Sequence, residues 1–482
     1  MTINSLAFLL FFLPVFAVYF SLCRKRANWQ NMLLLIASYF FYAYANWRAV
    51  PILLVSTLVT YYLGIGIQRC RETDARKASV LTSAGVWLGI LLLLYFKYLN
   101  FFISSFEDLF EAMGFHVSHH TFKIILPVGI SFFTFKLISY LVEIHRRKMD
   151  AERDFIRFAT YVAFFPTILS GPIDRPKAFL EQLAVTRRLN WADIAEGCKR
   201  VLWGMFKKMC VADVICGYTD AVFNNYAHHN ATSLTIAAVL YSFQLYADFS
   251  GYSDMAIGVG RILGIRSLEN FRLPFFAVNI TEYWKRWHMT LTSWLTDYVF
   301  TPLNLKFRNL GMWGLNLAVM INLLAIGAWH GANWTFILFG FYHGCCLIFN
   351  NLIAKRRKHF EKAHGLKKNT AYRYARIAKM FVFVTFGNII FRSNTITDFF
   401  GYLSQYSSGF LYPYVAQRVT FIMYFPPLLL MLFKDWKDEE KLNIHFFHSP
   451  RWYVRAVTMA LLLAVILLEG EFNGPQFIYF QF

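Results

Sequence analysis

Apolar stretches close to membrane-spanning length recur from one end of this 482-residue sequence to the other. A transmembrane α-helix needs about 20 mostly apolar residues. The shorter stretches would be tilted or re-entrant helices, or half-helices buried in protein. We therefore predict an all-α polytopic membrane protein with about 11–13 transmembrane or re-entrant helices. They are expected near 6–22, 32–45, 52–67, 79–102, 121–142, 158–170, 201–216, 234–249, 313–330, 336–353, 377–391, 419–433 and 454–468.

Composition favours an integral membrane protein over a soluble enzyme with one anchor. Hydrophobic residues make up 57% of the sequence and charged residues 16%, against about 25% charged residues in an ordinary soluble domain. The sequence shows no internal repeat and no low-complexity linker, so we expect a single domain over 1–482 with a C-terminal tail at 470–482. The first stretch has no basic residue ahead of it and no small-residue cleavage site after it, which favours a retained helix.

The basic residues, which give a net charge of +20, predict the orientation of the chain. They cluster in short loops at 24–26, 69–77, 146–148 and 355–379. Such clusters are typical of the cytoplasmic loops of membrane proteins, and they argue against nucleic-acid binding. Both termini, including the tail, are then expected on the outer face. The same loops could attract an anionic substrate or retain anionic membrane lipids.

Several classes of site have no signature in the sequence. The seven cysteines lack the spacing of a zinc site, and no set of metal ligands is recognisable, so no metal is expected. The nucleophile motif GxSxG, the phosphate-binding loop and the dinucleotide motif GxGxxG are all missing. A serine hydrolase, an ATPase and a dinucleotide-dependent enzyme are therefore unsupported.

The segment YADFSGYSDMAIG at 246–258 places polar residues at the edge of an apolar stretch: Asp248, Ser250, Tyr252 and Asp254. A carboxylate at membrane depth is costly unless it is paired or hydrated, so such residues are candidates for function. The alternative is a helix end at the membrane interface, with Asp248 as its cap and Gly251 breaking the helix.

Two further segments contain histidines. The segment 281–300 is amphipathic, aromatic and basic, which predicts an interfacial helix carrying His288, either as a functional residue or as an ordinary interfacial histidine. His330 follows Trp329 at the end of a long apolar run, and Gly331 and Asn333 are expected to interrupt the helix there. Because histidine titrates near neutrality, His330 suits proton transfer. The alternative is a hydrogen bond between helices.

Six segments occur in an order that resembles one family. They are YFKYLNFF at 95–102, LPVGISFFTF at 126–135, FFPTILSGPIDR at 164–175, YADFSGYSDMAIG at 246–258, NITEYWKRWHMTLTSWL at 279–295 and AWHGANWTF at 328–336. Together they resemble the membrane-bound O-acyltransferase family, in its bacterial branch of alginate and peptidoglycan O-acetyltransferases. The likeness extends to about residue 350 and includes the extreme C-terminus. Between 355 and 470 only the hydrophobic pattern is similar.

The resemblance implies a ring of helices around a central tunnel that joins the two membrane faces. It implies catalytic roles for His330 and His288. The polar residues near them become candidates to line the tunnel: Asp248, Ser250, Tyr252, Asp254, Trp329 and Asn333.

The last six residues, FIYFQF, fit an F-x-Y-x-x-F motif of the envelope-acylating branch. The resemblance implies that Tyr479 carries the acyl group and that Phe477 and Phe482 anchor the tail in the tunnel mouth. In the related teichoic-acid D-alanylation system the motif lies on a separate peptide, so its presence in this chain favours the acetyltransferase type. The alternative is a terminus lying on lipid headgroups, where aromatic residues are common.

The resemblance further implies acetyl-CoA as acyl donor and a location in the bacterial inner membrane. No serine esterase-like domain is recognisable in the sequence, which implies a periplasmic O-acetyltransferase of that type as partner. The polysaccharide, peptidoglycan or alginate, stays open. A different class also stays open, a proton- or ion-coupled transporter that uses Asp248, Asp254 and His330. A third possibility is direct acylation of lipid or protein without a partner, which would not need the tail.

Overall fold

The computed structural model describes residues 1–116, 118, 121–415, 423–442, 444–472 and 474–478. The chain is 77% helical, and the described residues contain no β-strand. Six helical stretches among them are long and apolar enough to cross a membrane. They are Ala27–Thr73, Ala75–Ala112, Arg308–His330, Trp334–Ala363, Thr370–Arg392 and Trp452–Glu469. These findings confirm the prediction of an all-α polytopic membrane protein.

The chain divides into two compact units. Unit 1 comprises Met1–Val201 and Met255–Leu268. Its α-helices are α1 (Leu6–Ser21), α2 (Ala27–Asn46), α3 (Val50–Thr73), α4 (Ala75–Leu93), α5 (Leu99–Ala112), α6 (Ile130–His145), α7 (Phe155–Ala163), α8 (Phe165–Ile168) and α9 (Pro176–Ala184). Nearly every residue of α6 is buried, so α6 forms the centre of this unit.

Unit 2 comprises Leu202–Asp254 and Glu269–Phe482 and holds all the predicted site residues. Two helices, α10 (Trp191–Met205) and α12 (Ala231–Ile262), contain residues of both units. The other helices of unit 2 are α11 (Asp213–Phe223), α13 (Ile280–Trp284), α14 (Met289–Leu295), α15 (Thr301–Lys306), α16 (Gly311–His330), α17 (Trp334–Ala363), α18 (Thr370–Arg392), α19 (Ile396–Ser404), α20 (Phe425–Glu439) and α21 (Trp452–Glu469). The expectation of one domain over 1–482 stays a prediction.

Helix α12 runs without interruption through the segment that we considered as a possible helix end. It spans 32 residues, and both Asp248 and Gly251 lie inside it. The idea that Asp248 caps a helix and Gly251 breaks it is therefore wrong. The glycine serves close packing instead, because a Cβ atom at Gly251 would lie 2.8 Å from the carbonyl oxygen of Gly204.

The prediction of one amphipathic helix over 281–300 is also wrong. Helix α13 ends at Trp284, and α14 begins only at Met289. Between them the chain pairs with residues that precede α13. The N–H of Met289 donates to the Asn270 carbonyl at 2.8 Å, and the N–H of Arg272 donates to the Arg286 carbonyl at 2.9 Å. His288 has a φ of 41°, in the left-handed region, and this turn separates the two helices.

The predicted interruption after His330 is confirmed. Helix α16 ends at His330, and Gly331 is extended. Asn333 caps α17, because its Oδ1 atom accepts the N–H of Thr335 at 3.0 Å. The next apolar helix therefore starts a few residues after the histidine, and His330 lies at the end of one helix beside the start of another.

Candidate active site

His330 is enclosed by aromatic side chains. It is buried, with 3% of its surface exposed. Its ring centroid lies 5.0 Å from that of Phe391, in α18, and 5.9 Å from that of Phe339, in α17. The preceding residue, Trp329, lies at 5.1 Å. Three helices therefore supply a hydrophobic surround that limits the access of water to the imidazole.

His288 is fully buried in the turn between α13 and α14. Burial lowers its pKa to about 3, because a charged imidazole would lose its hydration. The ring is therefore neutral near pH 7. Its Nδ1 atom lies 3.0 Å from the side-chain oxygen of Asn270.

Asn270 determines which nitrogen of His288 carries the proton. Its Oδ1 atom also accepts the hydroxyl of Thr290 at 2.9 Å and lies 3.4 Å from the Thr290 N–H, while its Nδ2 atom donates to Ser253 at 3.2 Å. Because the amide oxygen is an acceptor, Nδ1 of His288 is the donor in their contact. The Nε2 atom of the neutral ring then keeps its lone pair and can accept a proton.

The structure brings the two histidines together through aromatic contacts. The ring centroids of His288 and Trp329 are 5.4 Å apart. On its other side, His288 lies 4.6 Å from Phe249 of α12, at an interplanar angle of 88°. Phe249, His288, Trp329 and His330 thus form a continuous row of contacting rings. Three sequence-distant segments meet in this row.

The C-terminal segment contacts the same row. Phe477 is buried, and its ring lies 5.6 Å from Phe249. It also stacks on Tyr252 at 4.8 Å with an interplanar angle of 26°. Tyr252 is itself buried. Tyr479 and Phe482 lie outside the described residues, so their predicted roles stay predictions.

Asp248 lies in a buried ionic cluster. Its Oδ1 atom is 2.7 Å from the ammonium nitrogen of Lys208, which also lies 2.6 Å from Asp213. The other oxygen of Asp248 accepts the backbone N–H of Ile478 at 2.9 Å. Asp248 therefore contacts both a lysine and the C-terminal segment.

Asp254 and Ser250 share a different lysine. The ammonium group of Lys207 lies 2.5 Å from Asp254 and donates to the hydroxyl of Ser250 at 2.9 Å. Asn333 is separate from both clusters, because its amide nitrogen donates to the Asn394 carbonyl at 2.7 Å while its oxygen caps α17. The structure thus places Asp248 with the tail, Asp254 and Ser250 with Lys207, and Asn333 at a helix start.

Sequence reasoning missed Lys207, Lys208, Asp213, Phe249 and Asn270. A signal for the lysines was present, since adjacent lysines in the apolar stretch 201–216 need partners at membrane depth. They lie in a π-helical segment, Phe206–Ala212, a geometry that often marks functional sites. No local pattern marks Asn270. Within the described residues, no group of three or more histidine, cysteine, aspartate or glutamate side chains could hold a metal ion.

The described residues thus form a polytopic helical protein in which two buried histidines contact the same tryptophan. The sequence profile of the membrane-bound O-acyltransferase family matches residues 39–385. The chain belongs to this family and is an O-acyltransferase. This result sets aside the transporter that the sequence alone left open.

Three relatives illustrate the similarity. A probable alginate O-acetylase, AlgI, of Pseudomonas aeruginosa is 38% identical, over 82% of this chain and 73% of the relative. A peptidoglycan O-acetyltransferase of Helicobacter pylori is 29% identical, over 99% of this chain and 97% of the relative. A teichoic acid D-alanyltransferase of Bacillus subtilis is 32% identical, over 57% of this chain and 70% of the relative.

Proposed function

We propose that the chain transfers an acetyl group from cytoplasmic acetyl-CoA to Tyr479, within the bacterial inner membrane. A periplasmic acetyltransferase of the serine esterase-like type then passes the group to a cell-envelope polysaccharide. One observation carries this proposal. The segment that leads into Tyr479 is held beside the histidines, since Phe477 packs on Phe249 and Phe249 contacts His288.

In the first step, the phenolic oxygen of Tyr479 attacks the thioester carbonyl. The carbon–sulfur bond breaks, an aryl ester forms, and coenzyme A leaves as the thiol. The phenolic proton passes to His330 as general base and from there to the departing sulfur. Atoms and charge balance without a metal or a redox partner. The aromatic side chains packed around His330 support this role, because they keep water from hydrolysing the ester.

The pKa values of the groups that carry the acetyl explain why the relay needs no large rise in free energy. A thiol leaving group has a pKa of about 8.5 and a phenol about 10. A sugar hydroxyl is far less acidic, near the value of about 15.7 for water. In the second step the partner's serine takes the acetyl group, tyrosine regains its proton, and the serine ester passes the group to a sugar hydroxyl. The acetyl group can therefore move from thioester to aryl ester to alkyl ester without a steep rise in free energy.

We assign His288 a role as acceptor. Polarisation of the donor carbonyl by His288 would require a donor N–H on its ring. Its Nδ1–H is already bound to Asn270, and the neutral ring offers only a lone pair at Nε2. That geometry favours a hydrogen bond that orients the phenolic hydroxyl toward His330 over polarisation of a carbonyl.

We propose peptidoglycan as the first acceptor to test and alginate as the second. The peptidoglycan O-acetyltransferase of Helicobacter pylori aligns with nearly the whole of this chain, including the C-terminal region, whereas the alginate relative aligns with 82% of it. In this topology both termini face the periplasm, so that Tyr479 can meet the partner. The basic loops on the other face would attract the anionic donor.

The function can be tested on the polymers themselves. A strain that lacks the chain would be complemented with the wild type, with His330→Ala, or with His364→Ala as control. His364 is exposed and lies outside the site. We expect ester-linked acetate, released by mild alkali from purified peptidoglycan or exopolysaccharide, with the wild type and the control but not with His330→Ala. Unchanged acetate in the strain without the chain would contradict the proposal.

A further inference from the structure

The described residues before Tyr479 are bound at three points in unit 2. The N–H of Glu471 donates to the carbonyl of Met209 at 3.1 Å. The carbonyl of Pro475 accepts from Lys208 at 3.2 Å, and the N–H of Ile478 donates to Asp248 at 2.9 Å. Three backbone groups of the segment are therefore paired with α12 and with the π-helical segment Phe206–Ala212.

The π-helical segment supplies one of these acceptors. In a regular α-helix each interior carbonyl already accepts the N–H four residues later. The wider π turn changes that register, and Met209 uses its carbonyl to bind Glu471. The same turn carries Lys208 inward, where only 7% of its side chain is exposed.

Lys208 links the tail to two carboxylates. Its ammonium group has three acceptor oxygens within reach, from Asp213, Asp248 and Pro475. An ammonium group carries three protons, so this set matches its full donor capacity. Asp248 directs its second carboxyl oxygen, the one that does not contact Lys208, at the tail N–H. The electrostatics therefore favour a backbone donor at the position of Ile478.

Gly474 provides an independent sign that the segment fits its site closely. A Cβ atom at this position would lie 2.6 Å from Oδ2 and 2.7 Å from Cγ of Asp213. That carboxyl group cannot move aside freely, since Asp213 is bound to Lys208. A side chain at residue 474 would therefore push the segment away from the cluster.

We propose that Lys208, Asp213 and Asp248 form a dock for residues 471–472 and 474–478, and that this dock sets the position from which Tyr479 is acylated. The three side chains act as positioning residues, because they bind the backbone of the acyl-carrying segment and not the reacting atoms. The consequence for catalysis rests on the proposed function, whereas the docking itself does not.

The test measures docking and acylation separately. Hydrogen–deuterium exchange of a peptide covering 470–478 reports docking, and a single turnover with labelled acetyl-CoA reports acylation. The main variant is Gly474→Ala. Its control is Gly217→Ala, since Gly217 is exposed in α11 and a Cβ atom there would meet no atom within 4 Å. We expect at least tenfold faster exchange and at least tenfold slower acylation in Gly474→Ala, with the KM for acetyl-CoA unchanged.

A second pair of variants tests the charges. Lys208→Gln should release the segment. Lys207→Gln, in the same turn, removes contacts with Asp254 and Ser250 instead and lowers overall stability, so well below its unfolding temperature the exchange of the segment should stay slow. Slow exchange in both Gly474→Ala and Lys208→Gln would overturn the dock, whatever the acylation assay shows. Fast exchange in these variants, together with an unlabelled tail in the wild type, would support the dock and overturn the proposed function.

Discussion

The imidazole of His288 lies 5.4 Å from the indole of Trp329, the residue immediately before His330. The indole lies 5.1 Å from the imidazole of His330 itself. One tryptophan thus contacts both histidines of the candidate site. Because each histidine comes from a different segment, the contacts of Trp329 with both rings help to set the distance and orientation between them.

This contact predicts that Trp329 positions both histidines. Trp329→Ala would leave space on one side of each ring, and a misplacement of about 1 Å can cost about 100-fold in rate. We expect Trp329→Ala to slow the acylation of Tyr479 by about that factor. Trp329→Phe, which keeps an aromatic ring, should lose much less. Equal rates for the alanine variant and the wild type in a single turnover would show that the indole has no positioning role.

The bond between Asn270 and His288 predicts a change in pH dependence. Wild-type His288, with a pKa of about 3, stays neutral from pH 5.5 to 8.5 and should add no acidic limb to the rate profile. In Asn270→Asp a carboxylate would face Nδ1 and favour the charged imidazole, which raises the pKa of His288. Below the raised pKa, Nε2 carries a proton and cannot accept another. We therefore expect acylation to fall as the pH is lowered.

The control for this pH experiment is Thr290→Val, which removes a hydroxyl bonded to Asn270 without adding charge. Its rate profile should keep the shape of the wild-type profile, whatever its absolute rate. An Asn270→Asp profile with the same shape as the wild-type profile between pH 5.5 and 8.5 would contradict the assignment of His288 as a neutral acceptor.

The pair of Lys207 and Asp254 predicts a stability effect that does not depend on catalysis. Only 5% of the lysine side chain and 16% of the aspartate side chain are exposed. Removing one partner of a buried pair leaves an uncompensated charge and costs about 3–5 kcal/mol. We expect Asp254→Asn and Lys207→Gln each to lower the thermal unfolding temperature.

The double variant distinguishes pairing from two independent effects. Lys207→Gln combined with Asp254→Asn removes both charges, so its unfolding temperature should exceed that of the less stable single variant. A double variant whose loss equals the sum of the two single losses would mean that the two side chains are not energetically coupled.

The class of protein could be predicted because the features that define it, long apolar stretches, are local in the sequence. Long apolar stretches force helices in a membrane, and the structure contains them. The end of α16 at His330 was also predictable, since Gly331 and Asn333 are residues that favour the interruption and the start of helices. Where the neighbouring residues alone decide the local conformation, that conformation can be predicted from the sequence.

The failures share a physical reason, which is pairing between distant residues. The amphipathic pattern of 281–300 is typical of one helix, but the backbone bonds of Met289 and Arg286 to 270–272 interrupt it. Asn270 lies in a polar connection and gives no local sign that it orients His288. The partners of Asp248, Lys208 and Ile478, lie 40 and 230 residues away in the chain, so no local pattern identifies them, while its predicted place in a tunnel stays a prediction.

The most direct test of the account examines the C-terminal peptide. The purified protein would be incubated with isotopically labelled acetyl-CoA, digested, and analysed by mass spectrometry beside His330→Ala and Tyr479→Phe. We predict label on Tyr479 in the wild type, strongly reduced label in His330→Ala and none in Tyr479→Phe. A wild-type peptide without label, in a preparation that still acetylates the polysaccharide through its partner, would contradict the tyrosine relay.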